Sequence, residues 1–388
     1  MKYIIHYDDC VSGNGWVMVP VILTCLALVL TSCTETSTDV KQEDQIAVAN
    51  SYTPLTTFQG NAVKNKNDTF LDGDGFTSPL FGLATAPNGD ILVADAGAGI
   101  RTLSGSGIAL PGVTDVGPVG RNAIWASTGG APEPTMDSGQ ALYRTHQGKT
   151  QMVANLFAFE EANDPDGAGV DSNPFDVQSL GGQSALVADA GGNDLLRINN
   201  QGHVEVVALF PDELVSTANV KELVGCPNPN QAQICGLPDQ IPAQAVPTSI
   251  AVGPDGYYYV GELKGFPAPT GASNIWKISP DATGAVCSSS PDCVKVFEGG
   301  FTSIIDLAFD DEGNLLVAEL DEQSWFAVEV LMGGAGGTIN ECDVEAVSCS
   351  EVATGIPILT AITVGKDGSL WATQNALIPG SADVIQVQ

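Results

Sequence analysis

The chain has 388 residues, and its 46 Asp and Glu against 14 Lys and Arg give a formal net charge of −32. A field of that sign repels phosphate backbones and sets nucleic acid aside as a partner. Gly (44) and Pro (23) are frequent while charged residues make up only 15%, the composition of many short strands joined by tight turns rather than of long helices. The length fits two average domains or one large all-β unit. The acidity has two readings, solubility and cation binding.

In chain order, the first feature is the apolar run VMVPVILTCLALVL at 17–30. It is short for a membrane span and matches the apolar core of a signal peptide. It ends in Leu30-Thr31-Ser32-Cys33, which resembles the lipobox of bacterial lipoproteins and implies lipidation of Cys33 as the mature N-terminus. Residues 1–32 are accordingly read as a signal peptide, although Asp8 and Asp9 outnumber the single basic Lys2 before the run. An uncleaved anchor helix is the alternative, and either way the bulk of the protein is exported. Residues 33–57 are polar at first and lack an apolar period; they read as a tether from the membrane to the domain.

From residue 58 to 388 one pattern recurs: LATAPNGDILVAD (83–95), VQSLGGQSALVAD (177–189), IAVGPDGYYYVGE (250–262), LAFDDEGNLLVAE (307–319) and ITVGKDGSLWATQ (362–374) align without a gap. A degraded copy, VGPVGRNAIWAST, fills 116–128. Each copy is an apolar strand, a Gly turn and a second apolar strand, hence a hairpin. Strands that are apolar nearly throughout are buried on both faces. Further strands follow, such as LLRIN (195–199) with HVEVVALF (203–210), and NIWKIS (274–279) with VKVFEG (294–299). Four strands per repeat and six repeats predict an all-β, six-bladed β-propeller with four-stranded blades. The final segment ADVIQVQ (382–388) reads as the third strand of the last blade, and chain between Ile46 and Gln59 is expected to supply its outer strand, because open edges are avoided.

The unit A-x-x-P-x-G-x-I-x-V-A-D with a following N-D-L-L-R-I resembles the NHL-type propeller repeat. The segments NDPDGAGVDSNPF (163–175), VADAGGNDLLRI (187–198), VPTSIAVGPDGYYYVGELKGFP (246–267) and FTSIIDLAF (301–309) resemble the ScyD/ScyE family, named for scytonemin biosynthesis in cyanobacteria. The resemblance implies an exported propeller and supplies no catalytic residues.

Six cysteines lie beyond Cys33, in three close pairs. An even count in an exported chain reads as disulfides, and the local pairing Cys226–Cys235, Cys287–Cys293 and Cys342–Cys349 is expected, each bracketing one exposed loop as a staple. CxxC spacing for zinc is missing.

Catalytic signatures are sparse. His146 and His203 sit beside Gly turns, the positions of solvated side chains, and no G-x-S-x-G elbow, P-loop or H-E-x-x-H occurs. The acid closing each copy (Asp95, Asp189, Glu262, Glu319) is read as bonding turn amides. Glu262 stands apart, since a long Pro-rich loop follows it and places Lys264 and Phe266 as candidate ligand contacts. The residue before each copy lies beside the axial channel: Gly82, Asp115, Asp176, Ser249, Asp306 and Ala361. Asp115, Asp176 and Asp306 are therefore the candidate ligands of a calcium or magnesium ion, with Asn173 and Thr248 close by; the alternative is carboxylates bonded to backbone amides. The loops FLDGDGF (70–76) and ANDPDGAGVDSN (162–173) share the composition of calcium loops without EF-hand spacing. Two functions follow. One is a monomeric cell-envelope propeller, held to the membrane through Cys33, that binds or scaffolds a partner protein or a secreted metabolite. The other is a metal-dependent hydrolase or lyase working in the channel, with Glu262 as base.

Overall fold

The computed structural model describes residues 75–120, 122–129 and 139–387. The leader, Cys33, the tether and the strand expected between Ile46 and Gln59 lie outside the described residues. Among the described residues no helix is long and apolar enough to cross a membrane.

Six antiparallel sheets form the six blades of a β-propeller, each counted outward from the axis in chain order. The innermost strands are Leu80–Thr85, Val113–Val119, Pro174–Ser179, Pro247–Val252, Ile304–Phe309 and Ile362–Val364. All six blades begin with the repeated hairpin, and the degraded copy forms blade two, pairing Val113–Val119 with Ala123–Thr128. Blade six has three described strands, ending in Asp383–Val387. Second strands such as Ile91–Asp95 and Leu315–Glu319 are buried at every residue, because each sheet is sandwiched between its neighbours.

The first five inner strands share one irregularity near their start. The ladder skips Phe81, Thr114, Phe175, Thr248 and Ile305, each of which bulges out of register with its partner strand. A bulge re-aims its side chain, and the residues divide by blade. In blades one, three and five, Phe81, Phe175 and Ile305 are buried in one apolar cluster, and the Phe81 and Phe175 rings meet edge to face at 5.8 Å. In the even blades Thr114 and Thr248, with the corresponding Thr360, send their hydroxyls to the carbonyl of the next blade's inner strand, at Pro174 (2.7 Å), Ile304 (2.7 Å) and Leu80 (2.6 Å). The last of these joins blade six to blade one. The Leu80 amide donating to the Ala376 carbonyl at 3.0 Å adds to that closure.

Departures from the repeat include two that involve blades three and four. Between blades three and four, 211–245 carries a hairpin (Glu213–Ser216 with Gln240–Ala243) and the short helices Ala218–Leu223 and Ala232–Cys235. Asn219 Nδ2 ties this insertion to the Ala268 carbonyl at 2.7 Å and to Ser324 Oγ at 3.1 Å, so three loops from different blades form one cap. The second feature is Ala285–Val286, a strand from blade four that pairs parallel with the outer edge of blade three.

The disulfides are Cys226–Cys235, Cys287–Cys293 and Cys342–Cys349, as the local pairing expects. Their settings differ from staples on exposed loops. Cys287, Cys293 and Cys342 are buried, and Cys342 stands directly opposite Cys349 on paired strands. Cys287–Cys293 ties the segment lying on blade three to the outer strand of blade four.

Candidate functional site

Asp115, Asp176 and Asp306 follow the bulged positions on blades two, three and five, and act on one another electrostatically. Each holds the same pair of donors. Asp306 Oδ1 accepts the N–H of Leu307 next to it at 2.7 Å, and Oδ2 accepts that of Ile362 in blade six at 2.7 Å. Asp176 bonds the amides of Val177 beside it and Ile250 in blade four. Asp115 bonds those of Val116 and, at 3.1 Å, Val177 in blade three. Each aspartate thus bridges its own inner strand to the next. Blade one carries Gly82 at this position, where a Cβ would collide with the Asp115 carboxylate.

These carboxylates are uncomfortable when ionised. Burial, then the neighbouring Asp176, raise the Asp115 pKa well above the ordinary range, and the two carboxyls are within hydrogen-bond contact. Burial raises Asp176 to about 6, against the pull of Asp115 and two amides. Burial and Asp176 also raise Asp306 strongly. Such shifts describe carboxyls that take up a proton more readily than exposed ones, and Asp115 and Asp176 act as one coupled pair.

The acids closing the second strands behave as turn clamps in three blades. Asp95 accepts Thr77 N–H (2.8 Å) and Gly97 N–H (3.2 Å). Asp189 takes Asn173, Gly191 and Gly192 amides and the Ser172 hydroxyl. Glu319 takes Thr302 N–H and Asn340 Nδ2.

Glu262 in blade four is different. It accepts Trp276 Nε1 at 2.6 Å and Asn274 Nδ2 at 2.7 Å, and pairs with Lys264 Nζ at 2.8 Å. Both side chains are fully enclosed, and Lys264 Nζ has a second carboxylate, Glu213, at 2.7 Å. Glu213 in turn reaches Lys295. Lys264 is therefore the core of a buried ionic knot that fastens the cap hairpin onto blade four. Burial pushes Glu213 up, but the two lysines and Asn274 bring it down to about 2. Phe266 packs against the cap core, tilted toward Phe326 at 6.4 Å. Thr248 makes the cross-blade bond described above, and Asn173 is buried with its Oδ1 lacking a protein partner. Sequence spacing did not show Glu213, Asn274 or Lys295 as members of the knot. Glu213 is 51 residues from Lys264 and lies outside the repeat.

A second acidic group gathers at the end of the helix Leu156–Asn163. One carboxylate oxygen each of Glu160, Asp164 and Asp166 lies within 4.8 Å of the others. Burial, then Asp189, Asp166 and Asp164, push Glu160 up to about 8.

No protein-family model and no curated protein matches the chain. Among solved structures, a protein of unknown function from Bacteroides thetaiotaomicron shares 13% identity over 82% of this chain and 71% of its own, with a TM-score of 0.49. Virginiamycin B lyase from Staphylococcus aureus shares 14% over 81% of this chain and 86% of its own, with a TM-score of 0.46. The calcium-binding protein regucalcin from Agrobacterium tumefaciens shares 14% over 77% of this chain and 83% of its own, with a TM-score of 0.47. Likeness at this level says nothing of what the chain binds.

Proposed function

We propose that this propeller is a binding or scaffolding module of the ScyD/ScyE type, exported and lipid-anchored through Cys33, that holds a partner protein or secreted metabolite. The observation that carries this reading is the double amide engagement of Asp115, Asp176 and Asp306. The axial acids that channel chemistry would use already bridge adjacent inner strands. The lysine beside the Pro-rich loop is likewise enclosed between two carboxylates. The cap supplies the surface for a partner. With Glu213 turned inward to Lys264, the next residue of the hairpin, Leu214, is turned outward and is 68% exposed. Met332 on another cap loop is 79% exposed. Exposed large apolar side chains on built loops are where partners dock.

The alternative, a calcium- or magnesium-dependent hydrolase or lyase, draws on the same three aspartates and on Glu262. The raised pKa values of the adjoining Asp115 and Asp176 favour it, since perturbed acids cluster at reactive sites.

The test is chemical cross-linking in envelopes of cells producing the protein, comparing wild type with Leu214→Asp and Met332→Asp. A discrete cross-linked species lost in either folded variant supports the binding reading. Identical patterns in all three proteins, or hydrolysis or elimination that depends on Asp176, overturn it.

A further inference from the structure

We propose that Glu160, Asp164 and Asp166, backed by the buried Asp194, form a calcium site at the end of the helix Leu156–Asn163, apart from the channel aspartates.

The chain geometry makes the cluster. The helix stops at Asp164, which takes a left-handed conformation (φ 40°) and returns its N–H to the Glu160 carbonyl. That turn sets Glu160, one helical turn back, beside Asp164 and Asp166. The loop is then ordered by its own amides: Gly169 N–H donates to Asp164 Oδ1 at 3.1 Å, and Ala168 N–H to Asp166 Oδ1 at 2.7 Å. Asn193 Nδ2 donates to Asp166 Oδ2 at 3.1 Å from blade three. Glu160 Oε1 keeps no hydrogen-bond partner although the residue is 2% exposed.

That enclosed, unpartnered Glu160 oxygen is what points to a ligand, and Asp194 adds a second enclosed acid. It belongs to a different element, the third strand of blade three (Asp194–Asn199), and is 1% exposed with neither oxygen bonded. Asp189, then Glu160 and Asp166, act on it electrostatically. A buried carboxylate without a partner is costly. The groups acting on Glu160, Asp166 and Asp194 include further acids and no lysine or arginine. A cation held by Glu160, Asp164 and Asp166 satisfies those three carboxylates and offsets the negative charge that bears on Asp194.

The donor set specifies the ion. Only oxygen ligands are present, which selects a hard cation, and an irregular loop with mixed burial suits the flexible coordination of calcium better than the strict octahedron of magnesium. Asp164 and Asp166 are partly exposed, which leaves a way in. Bound calcium would lock the loop to blade three through Asn193, a structural role.

The experiment is calorimetric titration of the purified protein with calcium chloride after chelator treatment, with melting curves on the same samples. Wild type is expected to bind one calcium per chain with a Kd of roughly 10⁻⁵ to 10⁻³ M, from the weak end of sensor sites to extracellular modules, and to melt higher with calcium. Asp166→Asn and Asp194→Asn are each expected to weaken binding about tenfold or more. Glu160→Gln should do the same; should it fail to fold, the partly exposed Asp166 decides. Absence of saturable binding up to about 10 mM calcium, above the range of extracellular modules, overturns the site. So does undiminished affinity in folded Asp166→Asn. Binding that survives Asp166→Asn and is lost in Asp306→Asn places the ion in the channel and also overturns it. Magnesium binding as tightly as calcium overturns the choice of ion.

Discussion

The Asp306 carboxylate accepts the amide of Ile362 at 2.7 Å, and the two residues belong to adjacent blades. Asp176 does the same to Ile250, and Asp115 to Val177. An acid at the third residue of the inner strand, just after the bulge, is thus a connector between blades. Asp306→Ala leaves the buried Ile362 amide without its acceptor and is expected to destabilise by about 1–3 kcal/mol, the cost of an unsatisfied buried donor. Equilibrium denaturation in chelator measures it. A variant as stable as wild type removes the connector role and restores the metal reading of these acids.

The position of this ring was legible and its partners were not. The repeat aligns without gaps, so counting back one residue from each copy finds Asp115, Asp176 and Asp306. Which amide each meets depends on how blades stack, and a linear pattern carries no such information. The local disulfides were legible because short loops leave few other pairings; burial of Cys342 was not, since it follows from standing opposite Cys349 in a ladder. The cap was missed for a related reason. Its helices Ala218–Leu223 and Ala232–Cys235 have six and four residues, too short to display a helical period, and the Glu213–Lys264 contact spans an insertion that no repeat frames. Expecting Lys264 to face a ligand took a lysine in a Pro-rich loop to be solvent-facing, whereas two carboxylates enclose it.

The ionic knot gives a second expectation. Lys264→Met would leave Glu262 charged, enclosed and without its counterion. The expected loss is about 3–5 kcal/mol, typical of breaking one partner of a buried pair. Glu262→Gln combined with Lys264→Met removes both charges and is expected to recover part of that loss. Denaturant titration of Lys264→Met, of Glu262→Gln and of the double variant checks this. A double variant less stable than the sum of the single losses refutes the pair as the source of the effect.

Cys33→Ser tests the anchor. If the leader is cleaved at a lipid-modified cysteine, the variant is expected to move from the membrane fraction to the soluble envelope or culture fraction, and metabolic labelling with a tagged fatty acid should mark wild type alone. A variant still sedimenting with membranes, at the mass of the uncleaved chain, favours the apolar run at 17–30 as an anchor helix.

Stability depends on pH through buried carboxyls that the fold shifts in opposite directions. Burial raises Glu319 from about 4.5 to about 7 and Asp176 from 3.8 to about 6. A carboxyl whose pKa is higher in the folded state binds more protons there. Its stabilising contribution is full below the unfolded value and is lost as pH rises through the folded one. Glu213 has the opposite sign: held at about 2 by Lys264 and Lys295 against its burial, it stabilises above about 4.5 and loses that contribution as pH falls toward 2. The Tm in chelator is therefore expected to climb as pH drops from about 8 to about 5, and to fall again below about 4. Relief of the general repulsion of a chain carrying −32 acts in the same direction over the first range. Salt separates the two, because about 1 M salt shortens screening to about 3 Å and quiets surface charges while leaving enclosed ones largely untouched. The climb should persist in high salt and shrink in Glu319→Gln, which keeps an acceptor for Thr302 N–H but has no proton to lose. A Tm that is flat from pH 8 to 5 in high salt would show that these carboxyls titrate alike in the folded and unfolded chain.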